Sequence, residues 1–436
     1  MKITFTPKVS LSYTLLVSLI LTLLFSGFVT NFISFTTVNL GTALVDLVVF
    51  LIMIHTLLTL AFFYLSGKKI DKEYVIFAAF LLLLLILTLS KIFFIDENPV
   101  RERVLGLRNN LIYCLPVVYI PLLLQKEKHI AKSIQILLTA GLVLCVFAVF
   151  QYTFASRLPL SFLALRGEGT FHFYEQEITR PTALIGNTII FASFTLLLSS
   201  LFFTKYITYR KKLYLIFMAL ILMVNVMTFT RATLVGFVLS GGIILALYYG
   251  RFTLLYTIKL LVVLTTFLSV MLLVGYHYKD TFLVRRMTGR EMSTISSNEG
   301  HFSMIDNAVA YLKEHYLAGS GIGSQGPSGD PEKVLITDGY WFQLFLENGA
   351  ILGLLYLAFY LLCFFYALQA FLKTDNILLK QLCLAFLGIS AYYYGASFIN
   401  SAFIGRVNFI LYWMLFGFIM AQRLITKKQA HAVSGD

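Results

Sequence analysis

The chain is written in long apolar runs, each about the length that crosses a bilayer, separated by short polar stretches. A spanning helix needs roughly 20 consecutive, mostly apolar residues. Twelve such runs can be placed, at 10–29, 38–65, 74–95, 109–124, 133–153, 182–203, 213–230, 232–249, 253–275, 349–372, 379–399 and 406–423. The pair at 213–249 is divided only by Arg231. No series of short alternating strands, the mark of a transmembrane barrel, is visible. The pattern predicts an all-α polytopic membrane protein, with residues 1–436 forming a single membrane domain. The first run has a basic start, Lys2 and Lys8, lacks a small-residue cleavage site and is followed by more spans. It reads as the first helix and not as a removable signal.

Two polar stretches are longer than the rest, 154–181 and 276–348, the second lying between the ninth and tenth runs. Long ordered loops in compact proteins are usually functional. Phe302, Ile305, Val309, Leu312 and Tyr316 recur at three- and four-residue steps, which predicts a short amphipathic helix in the second loop. Ser297 or Asn298 would cap its start. A glycine-rich stretch from Leu317 to Gly326 follows, and Trp341 suits an interfacial anchor where the chain re-enters the membrane. Gly321 to Gly326 spells GxGxxG, but dinucleotide binding needs a strand before that motif and a helix after it. A helix precedes it here, so these glycines read as a turn or a close approach.

Composition narrows the class. Apolar and aromatic residues make up 59% of the 436 positions and charged residues 13%, against about 45–50% and 25% in soluble domains. An ordinary soluble domain, a disordered chain and a repeat solenoid are thereby excluded. The net charge of +13 would suit a nucleic-acid binder if it were spread over a surface. It is not. With the N-terminus in the cytoplasm and the loops alternating, the cytoplasmic stretches hold nineteen cations and five acids, and the outer loops fifteen of each. That asymmetry obeys the positive-inside rule and predicts two cytoplasmic termini.

The cations also differ in kind. Eleven of the fourteen arginines fall on the outer side: Arg101, Arg103, Arg108, Arg157, Arg166, Arg180, Arg231, Arg285, Arg286, Arg290 and Arg406. A guanidinium stays charged and grips phosphate through two parallel hydrogen bonds. The set therefore suggests an anionic group bound at the outer leaflet, with pairing to the neighbouring acids as the structural alternative. Asp46 is an acid two turns into the second run, either functional or close to the outer interface. His55 reads as core packing. The cysteines Cys114, Cys145, Cys363 and Cys383 lie inside spans and read as small buried hydrophobes. No cluster has metal-ligand spacing, so neither a metal nor another cofactor is expected.

Four stretches carry a resemblance. They are Arg180-Pro181-Thr182-Ala183-Leu184-Ile185-Gly186-Asn187-Thr188; Phe229-Thr230-Arg231-Ala232-Thr233; Asn298-Glu299-Gly300-His301, leading to Ala318-Gly319-Ser320-Gly321-Ile322-Gly323; and Thr337-Asp338-Gly339-Tyr340-Trp341-Phe342-Gln343-Leu344-Phe345-Leu346-Glu347-Asn348-Gly349. In this order, around a long outer loop, they resemble the bacterial O-antigen ligase and polysaccharide polymerase family of integral membrane glycosyltransferases. The resemblance covers roughly 180–425. Two positions depart from the ligases. A His-Asn pair stands there where this chain has Asp338-Gly339, and family members often carry arginine where His301 stands. Some polysaccharide polymerases look like Asp338 here.

The resemblance implies a donor glycan joined through diphosphate to a polyprenyl lipid and an acceptor sugar hydroxyl at the outer face of the bacterial cytoplasmic membrane. In a polymerase the acceptor is another lipid-linked repeat unit. In a ligase it is lipid A core or another acceptor. A flippase for lipid-linked sugars is the alternative from another class. Arg180 and Arg231 are the first choices for holding the diphosphate, and Arg286 and Arg290 could close over it. Arg231 would also stabilise the charge that develops as the glycosidic bond breaks. Asp338 is the candidate base for the acceptor, with helix N-cap as its structural alternative. His301 would orient a sugar or bind phosphate, and Glu347 would pair with an arginine or cap the chain. The implied partners are the polyprenyl-diphosphate-linked oligosaccharide, membrane lipids, and assembly proteins such as a flippase or chain-length regulator, with no nucleic acid.

Overall fold

The computed structural model describes residues 11–32, 40–67, 70–163, 170–173, 176–250, scattered positions between 269 and 285, 292–325 and 337–434. Its helices are α1 Leu11–Leu24, α2 Ser26–Phe32, α3 Leu40–Leu65, α4 Lys72–Phe94, α5 Val100–Asn110, α6 Pro116–Leu123, α7 Glu127–Phe154, α8 Leu160–Leu163, α9 Thr188–Tyr209, α10 Lys212–Met227, α11 Arg231–Tyr249, α12 Met292–Glu314, α13 Tyr340–Lys373, α14 Ile377–Ala396 and α15 Arg406–Ser434. A single antiparallel hairpin, β1 Thr170–Phe173 with β2 Gln176–Thr179, interrupts the helical pattern.

Among the described residues nine helices are long and apolar enough to cross a membrane, and α1 with α2, bent by 61°, makes a tenth as one broken span. Helix α10 coincides with the seventh apolar run but is only 16 residues long. All but two positions of the run at 253–275 lie outside the described residues, and each of the other eleven predicted runs has a helix in the structure. Large apolar side chains face outward along these helices, as at Leu57, Leu58, Phe62, Phe93, Ile216 and Phe365. In water that much exposed apolar surface would be unfavourable, whereas lipid tails cover it without cost. The protein is a multi-pass membrane protein.

Several helix boundaries are set by side chains. Asn187 accepts from the Ile189 and Ile190 amides and starts α9, six residues after the apolar run begins at 182. The intervening turn holds Ala183 and Leu184 at positive φ, which helix does not permit. Helix α12 starts at Met292, so Ser297 and Asn298 lie inside it and not at its start, where the sequence pattern put them. Before Gly300 the segment from Met292 contains no proline or glycine to stop it. Helix α13 is broken at Gly349, whose φ of 73° and ψ of 177° redirect the chain between a short outer arm and the long span.

The bundle has two chemically distinct ends. At one, Glu73 of α4 holds Arg423 and Lys427 of α15 and accepts from Tyr366 of α13, while Glu127 of α7 accepts from Asn376 and from Gln422. This is the lysine-rich end. Arg108, Arg180, Arg231 and Arg406 lie towards the other. Between the ends the bundle is filled with rings. Tyr340, Phe359, Tyr360, Tyr393, Phe403, Phe409, Tyr412 and Trp413 are all buried and pack edge-on or stacked.

Candidate functional site

Asp338 sits at the arginine-rich end, one residue before the cap of α13. That cap is Gly339, which has no side chain to bond the helix. The Asp338 carboxylate is turned elsewhere: its Oδ2 lies 2.8 Å from Nδ1 of His301 on α12, with the two side chains 43% and 30% exposed. A carboxylate and an imidazole therefore meet in a partly exposed position. The backbone beneath them is fixed. The Thr337 amide donates to Gln325 Oε1 at 3.1 Å, Gln343 Nε2 donates to the Thr337 carbonyl at 2.5 Å, and the Trp341 amide donates to the Ser397 carbonyl at 3.1 Å.

The glycine-rich stretch after α12 does not cradle a nucleotide. It is clasped onto the arginine-rich ends of α4, α5 and α13. Asp96 accepts from the Ile322 amide at 2.8 Å, and Asn98 donates to the Ser320 carbonyl at 3.1 Å. Lys91 donates to the carbonyls of Ala318 and Glu347 and lies 3.7 Å from Asp96. Burial pushes the Asp96 carboxyl up, against the pull of the Ile322 amide, Lys91 and Arg103. Gly323 is at φ +78° and a Cβ there would stand 1.9 Å from the Glu102 carbonyl. Glu347 belongs to this clasp. Its carboxylate accepts from Asn110 and from the Gln325 amide, and it is buried. It anchors the loop that leads to Thr337. Asn110, Asp96 and Lys91 were not singled out from sequence, because their partners lie more than two hundred residues away.

A second group lies around the α10–α11 turn. Arg180 is buried and donates through Nε to the Thr228 carbonyl at 2.8 Å and through Nη2 to Thr230 Oγ1 at 3.0 Å. Two of the stretches carrying the resemblance thus meet at the first residue of α11, which is Arg231. Thr230, the cap residue, makes no side-chain cap bond, since its hydroxyl meets Arg180. A helix start with uncapped amides and an arginine at its first position is electrostatically suited to an anion. The turn is braced from below by Asn225, which donates to Ala192 O and Thr195 Oγ1 and accepts from Thr233. Gln151 fixes the segment just after Arg180 by accepting from the Thr182 and Ala183 amides.

A third group joins Asp46, Arg108, Tyr113 and Arg406. Asp46 pairs with Arg108 at 2.9 Å and accepts from the Tyr113 hydroxyl at 2.8 Å, so this acid lies at the arginine-rich end. Arg286 and Arg290 lie outside the described residues. His55 bonds Ser12 within the bundle, and all four cysteines are free and buried.

Residues 213–357 match a family model described as O-antigen ligase. That span runs from α10 through Arg231, His301 and the clasp to Asp338 and the first part of α13. No curated protein matches the chain.

Proposed function

With the match over residues 213–357 supporting assignment of the chain to the O-antigen ligase and polymerase family, we propose that it is a polysaccharide polymerase. It transfers a glycan from a polyprenyl-diphosphate carrier to a sugar hydroxyl of a second lipid-linked repeat unit. The observation that carries this reading is the Asp338–His301 contact of 2.8 Å, a partly exposed carboxylate–imidazole pair at the arginine-rich end of the bundle. Asp338 in place of the ligases' histidine-asparagine pair favours the polymerase over the ligase.

The chemistry balances without a co-reactant. The acceptor oxygen forms a bond to the anomeric carbon of the donor as the bond from that carbon to the phosphate oxygen breaks. The hydroxyl proton passes to the Asp338–His301 pair, and the electron pair leaves with the lipid diphosphate. Arg231 and the uncapped amides of α11 favour that developing negative charge, which is where preorganised donors contribute most to rate. Arg180 holds the turn that presents them. The lysine-rich end faces the cytoplasm of the bacterial cell and the arginine-rich end faces outward, as the charge asymmetry requires.

The test is purified protein in lipid nanodiscs with a polyprenyl-diphosphate-linked repeat unit as sole substrate, read as a product size profile. A ladder of multiples is expected. A single shift that needs a separate acceptor such as lipid A core would make it a ligase. No product with either acceptor would overturn the glycosyltransferase reading.

A further inference from the structure

Polymerisation between two carrier-linked units requires two lipid diphosphates at the membrane surface together, one on the donor and one on the acceptor. The start of α11 accounts for one. The group around Asp46 is built on different elements: α3, α5, the turn holding Tyr113, and the start of α15. Both oxygens of its single carboxylate are taken, Oδ2 by Arg108 at 2.9 Å and Oδ1 by the Tyr113 hydroxyl at 2.8 Å. Arg406 lies close enough to Tyr113, Asp46 and Arg108 to feel their charges and dipoles, and its Nε is buried with no hydrogen-bond partner among the described residues. Two guanidiniums therefore share one carboxylate. The surplus positive charge sits at the first residue of the 29-residue helix α15, where the helix dipole adds to it. A guanidinium nitrogen shielded from water with its donor unmet is costly unless an anion completes the group. Arg108 and Asp46 keep side-chain exposures of 26% and 33%, so the group opens to the surface.

We propose that Arg108 and Arg406 form a second lipid-phosphate site, which takes the diphosphate of the acceptor unit. Asp46 and Tyr113 hold the two arginines apart from their own helices and in register for it. The inference rests on the polymerase reading. The same chemistry would also accept the phosphate of a membrane phospholipid, and the experiment separates the two sources.

The experiment counts bound lipid by native mass spectrometry of the full chain released from detergent, with undecaprenyl diphosphate as the probe. Wild type is expected to carry two equivalents. Arg406→Gln and Arg231→Gln should each carry one, and the double variant none. Arg406→Gln is expected to fold, since it removes an unmet buried charge, and an unchanged melting temperature checks this. If it fails to fold, Arg108→Gln, at the partly exposed member of the pair, takes its place. Two equivalents retained in Arg406→Gln, or one in wild type that only Arg231→Gln removes, would overturn the proposal. Displacement of the Arg406-dependent equivalent by phosphatidylglycerol, with the other equivalent retained, would assign the site to phospholipid and overturn the acceptor role. No bound equivalent in wild type would sink the donor reading as well, which distinguishes that failure from the others.

Discussion

Asp338 and His301 were each visible in the sequence as candidates, but their pairing was not. They lie on different elements, and a segment outside the described residues falls between them. Only the packing of α12 on the outer arm of α13 brings the carboxylate to the imidazole. The geometry speaks against the helix-cap reading of Asp338, because Gly339 takes the cap position and the carboxylate faces His301. Asp338→Asn and His301→Gln are each expected to slow ladder formation by about 10²- to 10⁴-fold, the usual worth of general acid–base catalysis. Bound lipid diphosphate should not change. Because residues acting as a unit are not additive, the double variant should be about as slow as the slower single one. Rates that multiply in the double variant would mean that the two residues act separately. Gly323 offers a residue-scale test of the clasp. Ala at φ +78° would place its Cβ 1.9 Å from the Glu102 carbonyl, so Gly323→Ala should lower the melting temperature, whereas Gly242→Ala, with open space around it, should not.

At the scale of elements, the spans were legible because lipid imposes a length and an apolar composition on each helix, and both are local properties of the chain. Their ends were less so. The start of α9 is fixed by Asn187 and a turn at positive φ, neither of which alters hydropathy. The glycine-rich stretch from Leu317 to Gly326 was legible as a break in helix but not as a clasp. Its partners Lys91, Asp96 and Asn98 sit at the far end of α4 and just beyond it. The lysine is the keystone: its ammonium serves two carbonyls from the loop and from α13, beside Asp96. Lys91→Met should therefore free the loop without disturbing the spans. Hydrogen exchange at the Ser320 and Ile322 amides is expected to rise at least about tenfold, since a lost charge-assisted bond is worth about 1.5–3 kcal/mol. Unchanged protection there would show that the loop is held without Lys91, by its bonds to Asp96, Asn98 and the backbone.

For the molecule as a whole, function depends on which end faces out. The structure sorts the charges into two ends, and the positive-inside rule assigns the lysine-rich one to the cytoplasm. The four native cysteines are buried, so they give little background to a thiol reagent. Glu299 near His301 and Lys428 near the end of α15 are both exposed, and they mark opposite ends of the bundle. Glu299→Cys is expected to react with a membrane-impermeant maleimide in cells whose outer barriers are open but whose cytoplasmic membrane is intact. Lys428→Cys should react only after that membrane is breached. The reverse pattern would place Asp338, Arg231 and the Asp46 group on the cytoplasmic side. It would also remove the reason for arginine at those loops, because an outer-face cation is disfavoured by the insertion rule and is retained only where it does something an uncharged residue cannot. Labelling of Glu299→Cys that falls when undecaprenyl diphosphate is present would go further, tying the outward end of the bundle to the lipid carrier itself.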